Sequence, residues 1–325
     1  MAGSAEAKIG CRLGVRDRCL PPAPDCLTAS GPRTVRAPLI RISLILTWGR
    51  PNVRQVTNGE LTELRTGGPH PGVMIADQRL EAAADAFRQG AELIADSASN
   101  GRFEAGSRGT ALLFTGTWIP LLNGVLGLSE TPDPGEVAAF ADEAAGYAGE
   151  LPWTIRLRGE ASEELAGIAA GHGLQGRTES ALMLLSLPVD VAGAGHVRKL
   201  AGAEYQTFAD VLGAAFGAPP QIITDLYGAA TLDRPEIDAY VAEDDGVPRT
   251  VGLSVRTGDH VYFANIATDP AYRRQGFASA LIGAMLRDGH AAGARTAFLH
   301  SGTDTAPLFE RFGFEAVETW TTLGA

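Results

Sequence analysis

The sequence predicts a mixed α/β fold, and three observations carry that expectation. From residue 262 a β-rich run, Tyr-Phe-Ala-Asn-Ile-Ala-Thr, ends at Asp269-Pro270 and passes through Arg-Arg-Gln-Gly into a helical pattern. From residue 77 onward, short strand-like runs alternate with helical stretches that keep their apolar residues on one face. The chain has 325 residues, 45% of them hydrophobic, which is ample for packed cores and exceeds the ~100–200 residues of a usual single domain.

The elements follow in order. Residues 77–97 place Leu80, Ala83, Ala84, Phe87, Ala91, Leu93 and Ile94 on one helical stripe. Residues 112–114 and 125–128 read as short strands, followed by a Pro- and acid-containing loop over 130–136 and a helix over 137–149. A strand at 153–157, a helix at 162–170 closed by Gly171 and a strand at 181–187 complete the first half. The second half opens with a strand at 197–200 and helices at 205–216 and 220–232. Strands at 237–243, 249–255 and 260–268 are joined by two turns, Asp244-Asp245-Gly246 and Thr257-Gly258-Asp259. A helix with Ala278, Leu281, Ile282 and Met285 on one face follows, then a strand at 294–300. The two halves run in parallel order, which predicts an internal duplication: 74–190 and 191–325, joined near 189–195.

The segment at 269–278 is built to receive an anion. Pro270 removes a donor and restrains Asp269, and the helix that follows leaves backbone N–H groups unpaired at its start. Gly276 lets main chain approach a ligand without a Cβ in the way. The pattern Arg273-x-x-Gly276-x-Ala278 after a strand resembles the Arg/Gln-x-x-Gly-x-Gly/Ala signature of the GNAT superfamily of acyl-CoA N-acyltransferases. Downstream, Leu308-Phe309-Glu310-Arg311-Phe312-Gly313-Phe314 is similar to that family's closing Leu-Tyr-Glu-x-x-Gly-Phe segment. The resemblance covers about the last ~130 residues, and two motifs in the right order are far more specific than one.

The resemblance implies two GNAT-like domains, each with a central mixed, mostly antiparallel sheet flanked by helices. It implies acetyl-CoA as co-substrate. The main chain of Ile266, Ala267 and Thr268 would lie along the pantetheine arm. Arg273, Arg274, Gln275, Gly276, Phe277, Ala278 and Ser279 would surround the diphosphate. The first half carries Glu130, Asp133, Glu136 and two prolines where the second carries its arginines and Gly276. It is therefore expected to be a degenerate copy that shapes structure or substrate. The family's usual tyrosine acid aligns with Phe309, which has no proton to give, and its strand carboxylate aligns with Tyr262. Acid–base work would then fall to His300, Ser301, Tyr262 or water, or the acceptor amine would have a low pKa, or the domain would bind acyl-CoA without turnover. Each residue also has a plainer reading: His300 as a strand-end residue, Ser301 and Thr303 as helix caps, Tyr262 as half-buried strand filling.

The expected activity is acetyl-CoA-dependent N-acetylation of a primary amine, on a small molecule or a peptide terminus, by direct attack on the thioester. The alternative is a catalytically weak acyl-CoA-binding or regulatory protein; an aminoacyl transferase on paired domains is a third possibility. No metal is expected, because no His-Glu-x-x-His or similar ligand spacing occurs. Residues 1–73 hold 10 Lys and Arg against 5 Asp and Glu, while the remainder holds 17 against 33. That acidic body argues against nucleic acid and suits a cationic amine, although acidity also serves solubility alone. Residues 1–73 also hold all three cysteines, Cys11, Cys19 and Cys26, and are expected to be a disordered or non-native extension, with Met74 as a natural start. The alternative is a targeting or nucleic-acid-binding arm. The apolar run at 39–48 is too short to cross a membrane and could form one strand. A cytoplasmic setting is expected, and a homo-oligomer is left open.

Overall fold

In the computed structural model, residues 71–191 and 196–325 are described. The expectation for 1–73, the strand at 39–48 and residues 192–195 of the join expected near 189–195 lie outside them, except that 71–73 open the first helix.

The first half contains α1 (Pro71–Ser97), β1 (Arg102–Ala105), β2 (Thr110–Phe114), β3 (Asn123–Gly127), α2 (Pro134–Ala148), β4 (Thr154–Arg158), α3 (Glu163–Gly171) and β5 (Gly176–Ser186). The second contains β6 (Val197–Leu200), α4 (Tyr205–Phe216), α5 (Pro220–Thr224), α6 (Ala229–Leu232), β7 (Ile237–Asp244), β8 (Val247–Thr257), β9 (His260–Thr268), α7 (Phe277–Ala291), β10 (Thr296–Ser301), α8 (Ala306–Glu310) and β11 (Glu315–Gly324).

Among the described residues eleven strands join one sheet in the order β1-β2-β3-β4-β11-β5-β10-β9-β8-β7-β6. Only β3–β4 and β9–β10 run parallel. The middle of the sheet is interlocked. β11, from the end of the chain, lies between β4 and β5, and β5 lies between β11 and β10. Each half thus ends in a strand that sits against the other half.

Helices cover both faces. On one face α2 and α3 pack on Leu112, Phe114, Ile155 and Leu157, and α7 packs Leu281, Ile282 and Met285 on Val261 and Phe263. On the other, α1 crosses the middle of the sheet, burying Phe87 against Leu182, Leu184, Phe298 and Trp320, while α4 packs Phe208 and Leu212 near Val251 and Leu253. A central strand covered on both sides loses its solvent face. In consequence all five residues of β4, including Arg156 and Arg158, are buried.

Three sequence expectations need correction. The expected loop at 130–136 is helical from Pro134, because Asp133 caps the helix by accepting from Glu136 N at 2.8 Å and Pro134 fits the first turn. The helix expected over 220–232 is two short ones, α5 and α6, with Gly228 in extended conformation between them. The ten-residue β11 was not expected at all, although it occupies the centre of the sheet.

Candidate active site

Parallel strands β9 and β10 pair only over Thr296↔His260, Ala297↔Val261 and Phe298↔Tyr262. Beyond Tyr262, β9 continues to Thr268 and β10 to Ser301 with no further pairing between them. The strands therefore part, and one edge of β9 is left without a strand partner among the described residues. The bulge in β9 falls on this open stretch. Val251 pairs with Ala267 and Leu253 with Ala264, so Asn265 and Ile266 together oppose Gly252. Asn265 takes φ +54°, in the left-handed region that Asn tolerates better than most residues. Its Nδ2 donates to the Tyr227 hydroxyl at 2.9 Å. Tyr227 is buried against Phe208, and burial pushes its phenol up to about 12.

The open edge leads into the glycine loop. The Asp269 side chain accepts from Ala271 N at 2.9 Å, holding the turn that follows β9. Gly276, at φ +92°, is the N-cap of α7, and no side chain caps that helix. A Cβ placed on Gly276 would meet nothing within 4 Å. The requirement for glycine here is thus conformational, and the space beside it is open. These features fit an anion held by main-chain N–H groups. The Arg273 side chain turns inward, donating to the Thr268 carbonyl at 3.2 Å and the Ala215 carbonyl at 3.3 Å. It ties the loop to the end of β9 and to the last turn of α4. Arg274, at φ +63°, stands in the left-handed region.

The candidate acid–base residues separate into two groups. Tyr262 and His300 meet at the apex of the split, with the Tyr262 hydroxyl 3.4 Å from His300 Nδ1, at the long end for a hydrogen bond. Both are half-buried, and His300 Nε2 is shut off from solvent with no partner among the described residues. Burial, with a smaller contribution from the cationic Arg156, holds the His300 imidazole well below the usual histidine range, so it is neutral. Burial raises the Tyr262 phenol, and Arg156 opposes that rise. Ser301 is occupied elsewhere: its Oγ bonds the Gly302 carbonyl at 3.1 Å and Thr305 Oγ1 at 2.7 Å, bracing the turn into α8. Phe309 is in the core beside Phe314, with ring centroids 5.9 Å apart.

Phe87 of α1 and Arg156 of β4, from the first half, and Trp320 of β11, from the second, surround this pair, and of the three the sequence placed only Phe87, on the apolar stripe of its helix. Phe87 of α1 and Trp320 of β11 stand edge-on to the His300 ring at 5.1 and 4.6 Å, and Phe87 lies 5.6 Å from Tyr262. The Arg156 guanidinium lies over Phe87 at 4.9 Å and over Trp320 at 5.2 Å. Alternation in Thr-Ile-Arg-Leu-Arg suggests solvent-facing arginines, so only knowledge of a covered strand reveals Arg156. For Asn265 a signal existed: an asparagine inside a β-rich run is out of place unless the strand bulges.

Among the described residues no group of three or more His, Cys, Asp and Glu could hold a metal ion, and no helix is long and apolar enough to cross a membrane.

Residues 235–316, from β7 to the start of β11, match the model of the acetyltransferase (GNAT) domain. No curated protein matches the chain. Among solved structures, a GCN5-related N-acetyltransferase from Kribbella flavida is 22% identical, covers 75% of this chain and 95% of its own, and superposes with a TM-score of 0.54. A functionally unknown conserved protein from Staphylococcus epidermidis is 14% identical, covers 70% of this chain and 95% of its own, with a TM-score of 0.49. The first of these likenesses shows the fold, a GNAT-like mixed sheet flanked by helices, and its 75% coverage extends well beyond residues 235–316.

Proposed function

We propose that the protein transfers an acetyl group from acetyl-CoA to a primary amine, on a small molecule or a peptide terminus. The parting of β9 from β10, running into the uncapped start of α7 at Gly276, carries this reading. Pantetheine would lie along the open edge of β9 at Ile266, Ala267 and Thr268, and the diphosphate against the main chain from Gly276 to Ser279, with Arg274 and Gln275 beside it. The thioester then reaches the apex of the split, where Tyr262 and His300 stand. The amine nitrogen attacks the thioester carbonyl, the C–N bond forms and the C–S bond breaks. Sulfur leaves as the thiolate of coenzyme A and takes up a proton, while the amine gives one up to His300 Nε2 or to water. With Nδ1 protonated toward Tyr262, a neutral His300 has its Nε2 lone pair ready for that proton. Positioning alone supplies a large share of such a rate.

Phe309 favours a second reading, an acyl-CoA-binding protein with little or no turnover, because the buried ring fills the place of a tyrosine acid. Isothermal calorimetry with coenzyme A, followed by thiol release from acetyl-CoA across an amine panel, separates the two. Acceptor-dependent release supports the enzyme; tight binding without it supports the sensor; no binding removes both.

The same reading takes residues 74–190 and 191–325 as tandem GNAT-like domains that have exchanged their last strands, which the positions of β5 and β11 support. Expressed separately, neither half should fold, since each lacks its central partner strand. A cytoplasmic setting belongs to this proposal, given that the body from residue 74 onward contains no cysteine.

A further inference from the structure

Strand β4 carries two arginines, two residues apart on one face of the sheet, and their surroundings differ sharply. Arg158 is fully paired: its Nη2 lies 3.0 Å from Glu318 Oε1, its Nε donates to the same carboxylate, and its Nη1 lies 2.8 Å from Glu81. Arg156 is 8% exposed, and no carboxylate faces it among the described residues. Its neighbours are the faces of Phe87 and Trp320 and the phenol of Tyr262, and its Nε has no hydrogen-bond partner. A buried cation without a counter-anion is among the costliest arrangements a fold can retain. Aromatic faces offset only part of that cost. A second orphan stands across the same two rings: Nε2 of His300, which also packs on Phe87 and Trp320.

We infer that Arg156 receives the carboxylate of the acceptor, so that the substrate class is a small amine carrying a carboxylate, an amino acid or a close analogue. This deepens the acetyl-transfer reading and rests on it for the fate of the amine. Arg156 fixes one end of the acceptor, which leaves the amino group free to reach His300 Nε2 and the thioester. A guanidinium matches a carboxylate with two parallel N–H donors, which a plain amine or amide cannot accept. The first half thereby supplies specificity to a site whose cofactor groove belongs to the second. The acidic body does not contradict this, because the local field at the box is set by Arg156.

The test uses the full chain and reads the His300 imidazole by NMR, assigned with His300→Gln, during titration with acetate, glycine and 4-aminobutyrate and with the corresponding amides. No coenzyme A is present, so this arm stands apart from the acetyl-transfer reading. Saturable shifts with the acids and none with the amides are expected, lost in Arg156→Met and retained in weakened form in Arg156→Lys. Acids and amides acting alike in the natural protein, or an acid response surviving in Arg156→Met, overturns the inference. In thiol-release assays, the acid member of each amino acid and amino-amide pair is expected to lead in kcat/KM by about 10²-fold, a lead that falls to near one in Arg156→Met. Equal turnover of both members counts against the inference while leaving acetyl transfer itself intact. Absent coenzyme A binding defeats acetyl transfer and leaves the NMR result to stand alone.

Discussion

The two parallel strand pairs, β3–β4 and β9–β10, lead to helix starts with opposite chemistry. β3 pairs with β4 from Gly124↔Thr154 to Gly127↔Leu157, so no slot opens between them. The helix beyond, α2, is capped by its own Asp133, and Glu136 of its first turn accepts from Arg108 N and Thr110 N at 2.9 Å each. Carboxylates of the chain itself thus occupy the place where an anion could bind. At β9–β10 the strands part, the loop has no acid in contact with the helix start, and α7 has no side-chain cap. One sheet thus holds a closed, self-neutralised version and an open version of the same turn. The open version combines two features that the closed one lacks, parted strands and unclaimed N–H groups.

The largest expected effect comes from closing the open version. Gly276→Asp forces a side chain into φ +92° and adds a negative charge at the helix start. Coenzyme A affinity should fall by about 10²-fold or more by calorimetry. Unchanged affinity would mean the two turns do not differ in function. Next is the closed version. A Cβ on Gly124 would stand 2.0 Å from the Thr154 carbonyl oxygen, at φ +121°. Gly124→Ala should therefore destabilise the fold by about 2–3 kcal/mol in urea titration, because β3 and β4 can no longer lie so close.

How much of this contrast the sequence shows depends on which forces decide each part. The strand–turn–helix at β9–α7 is local: Pro270, Gly276 and the apolar stripe through Leu281 and Met285 reveal it without tertiary context. The acids of the first loop were also visible, but not that Asp133 begins a helix, since a cap is indistinguishable from a loop residue until the helix boundary is known. The central places of β5 and β11 in the sheet left no such trace. Strand pairing is a long-range choice, and the first residues of β11 are too exposed and charged to show a core period. The box around Arg156 was hidden for the same reason, since burial of β4 on both faces follows from strands and helices distant in sequence.

A smaller effect separates the two turns by pH. A backbone hydrogen bond from Glu136 and a pairing with Arg108 hold the Asp133 carboxyl below the usual range. Glu136 is also lowered, because bonds from Thr110 and Arg108 outweigh its burial. A folded pKa below the unfolded one adds stability above the ordinary carboxylate range, and that stability is lost as pH falls through the depressed values. Acid unfolding of the natural protein should therefore be steeper below about pH 4 than that of Asp133→Asn/Glu136→Gln, followed by circular dichroism. The double variant should still bind coenzyme A at one site, since clearing the acids does not part β3 from β4; a second site would show that the caps alone keep the first turn closed.

The smallest effect tests how the open turn keeps its shape. Arg273 reaches back to the carbonyls of Thr268 and Ala215, which supports the loop from inside. Arg273→Ala should weaken coenzyme A by only about 3–10-fold, the scale of one or two net hydrogen bonds spread over a loop. If that support is its whole role, the salt dependence should stay that of the natural protein. Arg274→Ala offers the opposite signature. If Arg274 meets the diphosphate directly, its loss flattens the salt dependence of binding, and a flattened response in Arg273→Ala instead would reverse the two roles.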